Sequence, residues 1–209
     1  PLEVLPEASK KDSRKRHIKT VRQKWFGCAC CPPNLARLIS SIGEYCITEN
    51  ENATYIHQFI GGKFKTNSAD ISIASSYTSN GRVSIEVNPH KPFTLGIRIP
   101  AWCNNYNFSQ GPNIKNDYAY FDITERITIN IKFDIEPKII ACSNLVRENI
   151  GKIAVTRGPF VYCLEEADNG KNLQMLRINT SSPLKIDNKK IIANGFRQKQ
   201  NDKLYFEFK

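Results

Sequence analysis

Arg82-Val83-Ser84-Ile85-Glu86-Val87 is apolar at every second position, with Arg82, Ser84 and Glu86 between. Strand side chains point alternately to two faces, so this order buries Val83, Ile85 and Val87 and leaves the others to solvent. The same period runs through Ile127, Ile129, Ile131 and Phe133, spaced by Thr128, Asn130 and Lys132. It returns at Leu95, Ile97 and Ile99, between Pro92 and Pro100. Short alternating strands punctuated by Asn-Gly, Asn-Pro and Gly-Pro predict a mainly β chain folded as a β-sandwich. Asn80-Gly81, between Tyr77 and Val83, predicts a hairpin turn. Residues 143–151 interrupt the strands and mark a seam. Gly158-Pro159 separates an expected strand at 153–156 from one at 160–164, and two more are expected at 190–193 and 204–208.

Upstream of residue 47 the period is helical. Leu35, Leu38, Ile39 and Ile42 fall on one face, with Arg37, Ser40, Ser41 and Glu44 largely opposite. Pro32 and Pro33 suit first helical positions, where a missing N–H is harmless. The helix predicted over 32–46 has no helical partner elsewhere in the chain. At its start stands Cys28-Ala29-Cys30-Cys31, three of the seven cysteines. A helix N-terminus favours an anion and hence a thiolate. Such thiols can ligate zinc or act as nucleophiles, or they can be small buried hydrophobes; the residue types leave both readings open. A zinc site needs about four ligands. No second Cys-x-x-Cys is present, and His17, His57 and His90 are isolated. Glu44 and Cys46 resemble a ligand pair, but Glu44 points off the apolar face. Glu165 and Glu166 are adjacent, so they point apart and read as solvated carboxylates rather than as a facing catalytic pair.

The 209 residues carry a net charge of +10, unevenly placed. Residues 1–24 hold eight Lys/Arg against Glu3, Glu7 and Asp12; residues 171–209 hold nine against Asp187, Asp202 and Glu207; the middle is near neutral. No nucleic-acid-binding module accompanies these charges, so the basic run 10–16 reads as a solvated lead-in and no nucleic-acid partner is expected. No stretch approaches the roughly 18 apolar residues of a membrane span, so no membrane partner is expected either. Seven cysteines, an odd and dispersed set, favour a reducing, cytoplasmic compartment over a secreted disulfide scaffold. The first residue is Pro1 rather than Met, which fits either a processed start or a chain that begins inside a longer one.

Three blocks, in order, suggest a family. The first is Trp25-Phe26-Gly27-Cys28-Ala29-Cys30-Cys31-Pro32-Pro33-Asn34-Leu35-Ala36-Arg37-Leu38, continued by Ser41-Ile42-Gly43-Glu44-Tyr45. The second is Phe93-Thr94-Leu95-Gly96-Ile97-Arg98-Ile99-Pro100-Ala101-Trp102. The third runs from Gly151-Lys152-Ile153 through Arg157-Gly158-Pro159-Phe160 to Glu165, followed by Asp168-Asn169-Gly170. Together they resemble glycoside hydrolase family 127, the non-reducing-end β-L-arabinofuranosidases.

The resemblance implies an (α/α)₆-barrel followed by β-sandwiches. Residues 1–46 would then be the barrel's C-terminal remnant with its last helix, 47–143 a β-sandwich, and 144–209 a second, incomplete one. It further implies retaining hydrolysis of an arabinofuranoside-containing oligosaccharide or glycan by a cysteine held on Zn²⁺. Cys30 would be nucleophile and zinc ligand and Cys31 a second ligand, whereas Cys28 would belong to the motif without ligating. The other ligands, a Glu and a Cys, and the acid/base Glu would lie upstream, so this chain alone should not turn over. Assembly as a homodimer is left open. Two stretches depart from the family pattern: 120–127 is shorter and lacks a Trp and a Gly-Asp turn, and 76–81 stands where Tyr-Pro-Trp-x-Gly is common. The rival reading is a non-catalytic β-sandwich binding or interaction module derived from such an enzyme.

Overall fold

The structure is a computed structural model and describes residues 30–199. The charged lead-in, Cys28 and the expected strand at 204–208 lie outside the described residues. The chain divides into two compact units, Pro1–Tyr45 and Cys46–Lys209.

In the first unit, α1 spans Cys31–Ser40 with prolines in its first turn, and a 3-10 turn follows at Ile42–Tyr45. The helix is shorter than the apolar period predicts, and its serines show why. Ser40 Oγ donates to the Ala36 carbonyl at 3.0 Å, and Ser41 Oγ to that of Arg37 at 2.9 Å. These side chains compete for the carbonyls that would carry the helix onward, and the chain tightens into 3-10 geometry. Leu35, Leu38 and Ile39 form an exposed stripe, and no α1 residue is buried.

The second unit is mainly β, as the alternation requires. Its strands are β1 (Ile47–Glu49), β2 (Ala53–Ile56), β3 (Gly62–Lys65), β4 (Ala69–Ser75), β5 (Arg82–Pro89), β6 (Phe93–Arg98), β7 (Tyr106–Phe108), β8 (Asn113–Lys115), β9 (Tyr118–Ile123) and β10 (Ile127–Phe133). They form two five-stranded sheets, ordered β1-β2-β6-β9-β8 and β3-β4-β5-β10-β7. All the pairings are antiparallel except β2 with β6, which run parallel with Ala53 opposite Thr94.

One core joins the two sheets. Ile56, Leu95, Ile97, Ala119, Phe121 and Ile123 come from the first; Ile71, Ile73, Val83, Ile85, Val87, Ile129, Ile131 and Phe133 come from the second. Val83, Ile85 and Val87 are at most 2% exposed, as their alternation predicts. Each such side chain contributes roughly 1.5–3 kcal/mol by leaving water.

The β4–β5 connection differs from a two-residue turn. Tyr77–Asn80 makes a one-turn helix, α2, and Gly81 closes it with φ +76°. Its N–H donates to the Tyr77 carbonyl, and its carbonyl accepts from Phe133 N–H at 2.7 Å. A Cβ there would lie 2.1 Å from the Phe133 carbonyl oxygen, so both the dihedral and the space demand glycine.

Beyond the sandwich come β11 (Pro137–Ala141), β12 (Ile153–Arg157), β13 (Phe160–Tyr162), β14 (Leu176–Ile178), β15 (Lys185–Asp187), β16 (Lys190–Ile192) and β17 (Gly195–Arg197). β11, β12 and β13 form one antiparallel sheet; β14 pairs with β17, and β15 with β16. Gly158, at φ +56°, and Pro159 make the predicted break between β12 and β13. A 3-10 turn at Arg147–Asn149 fills the expected interruption, and Glu166–Asn169 forms a further one-turn helix, α3. Among the described residues nothing beyond Ile135 is buried.

Candidate functional site

The thiol pair sits at the head of α1. Cys30 precedes the helix with φ −64° and ψ −40°, already helical, and makes no side-chain cap. Its carbonyl accepts from Asn34 Nδ2 at 2.7 Å, and Arg37 Nε reaches Asn34 Oδ1 at 3.5 Å. With the backbone so fixed, Cys30 Sγ and Cys31 Sγ lie 3.6 Å apart, both exposed. Two thiolates at tetrahedral corners of one zinc, each about 2.3 Å from it, would be about 3.8 Å apart, so the pair fits half of such a shell. Among the described residues no group of three metal-ligating side chains forms.

The remaining cysteines separate by environment. Cys46 and Cys103 are buried, and burial pushes both thiols up. Cys103 Sγ donates to the Asn105 carbonyl at 3.0 Å. Cys142 and Cys163 are exposed. Glu165 and Glu166 are exposed at the start of α3, consistent with solvated carboxylates. His90 lies on the surface, 3.4 Å from Asp70.

His57 is not isolated. Its Nε2 lies 2.7 Å from Thr48 Oγ1 and its Nδ1 2.7 Å from Tyr118 Oη. Burial, with some help from Arg98, lowers its basicity. Burial likewise raises the Tyr118 phenol, against the opposing pull of Arg98. Tyr55 stacks on His57 with centroids 6.2 Å apart and meets Tyr118 and Tyr120 edge-on. These rings occupy the face of the first sheet opposite the core, on β2, β9 and the residue after β2. Gly96 makes room for them, since a Cβ there would come 2.8 Å from Tyr55 and 3.3 Å from Tyr120. The sequence signal was present in the outward positions Tyr55, Tyr118 and Tyr120. What could not be read was that β2 and β9, some 60 residues apart, flank the same strand β6.

In chain order the described residues hold a helix that opens on paired thiols, a two-sheet sandwich and then smaller sheets. Residues 53–127 match the β-L-arabinofuranosidase glycoside hydrolase family 127 middle domain, and residues 137–203 match the family's C-terminal domain. The chain belongs to glycoside hydrolase family 127, of which it is a C-terminal portion.

Among its relatives is the non-reducing end β-L-arabinofuranosidase of Bifidobacterium longum subsp. longum. It is 31% identical over 200 residues, which cover 85% of this chain and 29% of that protein. The crystal structure of a family 127 β-L-arabinofuranosidase from Geobacillus stearothermophilus T6 superposes with a TM-score of 0.76 at 36% identity, covering 100% of this chain and 37% of that one. A second solved family 127 β-arabinofuranosidase, 22% identical, shares the fold with a TM-score of 0.66 over 83% of this chain and 36% of its own. The chain thus spans about a third of the length of these relatives.

Proposed function

We propose that this chain is the C-terminal part of a retaining glycosidase that releases β-L-arabinofuranose, with Cys30 as nucleophile. The observation that carries the reading is the exposed Cys30–Cys31 pair, 3.6 Å apart at a helix start, in a chain of this family. Cys30 and Cys31 would hold zinc together with ligands upstream of this chain. When bound, the metal keeps the thiols deprotonated.

Cys30 Sγ then supplies the electron pair that forms a C–S bond to the anomeric carbon as the glycosidic C–O bond breaks. The departing oxygen takes a proton from a carboxylic acid, which in this reading also belongs to the upstream part. In the second step water gives a proton to the carboxylate left by the first step and attacks the same carbon, forming C–O as C–S breaks and the thiolate is returned. Two inversions give net retention. Asn34 and Arg37 brace the loop that presents Cys30, through the Cys30 carbonyl and the Asn34 side chain.

The reading also assigns residues 1–46 to the end of the catalytic barrel and the rest to two β domains. The pairing of β11 with β12 favours a seam between those domains just before residue 137.

The test compares the full gene product with its Cys30→Ser variant on an aryl β-L-arabinofuranoside, with zinc content measured on both. The variant is expected to lose at least a thousandfold in kcat/KM, and the 209-residue chain alone to show no turnover. Full activity in Cys30→Ser would reject the nucleophile.

A further inference from the structure

The aromatic face of the first sheet ends in a depression that the proposed chemistry does not use. Its volume is about 440 Å³, and Thr94, Asn113, Lys115, Asn116, Tyr120 and Asp122 line it. This is within the usual size of a small-molecule site, roughly 300–1,000 Å³.

Strand register builds it. On β9, Tyr120 and Asp122 point away from the core, and Asn113 of the edge strand β8 lies opposite Tyr120. Thr94 lies opposite Asp122 and donates to its carboxylate at 3.2 Å. Asn116 and Asp117, at φ 49° and 61°, form the tight turn that joins β8 to β9 and sets Asn116 at the rim. Gly96 opposes Tyr120 on the other side, where the Tyr55 ring fills the space over the glycine and meets Tyr120 edge-on.

The chemistry of this lining selects its ligand. One aromatic ring offers an apolar surface, and around it stand a carboxylate, two amides, a hydroxyl and an ammonium. Asp122 and Lys115 balance in charge, so nothing favours an anion or a cation as a whole. A small neutral molecule with one C–H-rich face and several hydroxyls answers both features. We propose that this depression is a non-catalytic glycan-binding site that takes one neutral sugar residue against Tyr120, its hydroxyls held by Asp122, Asn113 and Asn116. The sugar class, an arabinofuranosyl residue, rests on the function proposed above; the site itself does not require Cys30.

The test is an amide-shift NMR titration of the 209-residue chain with methyl β-L-arabinofuranoside and, separately, an arabinofuranosyl oligosaccharide. Saturable shifts clustered at 113–122 are expected, with dissociation constants in the millimolar to high micromolar range. Tyr120→Ala and Asp122→Asn should each weaken binding at least tenfold. Asn113→Ala, at an exposed strand edge where folding is not at stake, should weaken it severalfold. Cys30→Ser should leave binding unchanged. Absence of saturable shifts at 113–122 would overturn the proposal, as would unaltered binding in both Asp122→Asn and Asn113→Ala. Either result would leave the Cys30 reading intact if the full gene product still depends on that thiol for hydrolysis.

Discussion

At the scale of single residues, His57 shows how packing sets chemistry. Its ring is held between Thr48 and Tyr118, and burial, aided by Arg98, lowers its affinity for a proton below the ordinary imidazole value of 6.5. The unfolded chain therefore binds the proton more readily than the folded one. Stability is full above about pH 6.5 and falls as the pH drops below it, until the folded ring also protonates. Urea unfolding of the chain at pH 7.5 and 5.5 should show lower stability at the acid pH, and His57→Gln should reduce that difference. An unchanged pH dependence in the variant would remove His57 from the account. The cysteines mark what a sequence can and cannot disclose at this scale. Cys30 and Cys31 are neighbours in the chain, so their pairing was legible. His57 and Tyr118 are 61 positions apart, and their contact exists only because both strands flank β6.

At the scale of elements, the strands were legible because each has one wet and one dry face, and period two follows from that. The turns were less so. Asn80-Gly81 signalled a reversal, but the four residues before Gly81 close it as a helical turn, since Ser76 and Tyr77 carbonyls capture the N–H groups of Ser79, Asn80 and Gly81. Gly81→Ala would force a left-handed dihedral on a β-carbon and drive it against the Phe133 carbonyl. The expected cost is about 2–4 kcal/mol, read as a lowered urea midpoint. Asn80→Ala, beside it, should cost less, since it keeps the dihedral and removes only the side-chain bonds to Ser76 and Arg82. The end of α1 was missed for a related reason. Serine back-bonding to carbonyls is a local competition that apolar spacing does not register.

For the whole molecule, burial is concentrated. Every buried apolar side chain among the described residues lies between Cys46 and Ile135, while 137–197 forms sheets of two or three strands with none. Stability should follow that division, because small ladders without a buried face open readily. Limited trypsin digestion is expected to cut within 137–199 well before it cuts within 46–135, leaving the sandwich as the persistent fragment. Equal rates in both segments would refute this. The alternation that predicts the sandwich fades after residue 141, so the sequence left this part weakly specified for the same reason that it lacks a core.

The parallel pairing of β2 with β6 bears on the order of assembly. β3, β4 and β5 are joined by short connections, so their ladder can close at little entropic loss. β2 closes a short hairpin with β1, but its other partner, β6, lies about forty residues further along. Loop closure penalises that delayed encounter, and the β2–β6 ladder should therefore gain protection later than the β3–β4–β5 ladder. Pulse-labelling hydrogen exchange during refolding would show β4 and β5 amides protected before those of β6, and the reverse order would exclude this route. The sheet that carries Tyr120 would then become competent for binding only after the β3–β4–β5 ladder has formed.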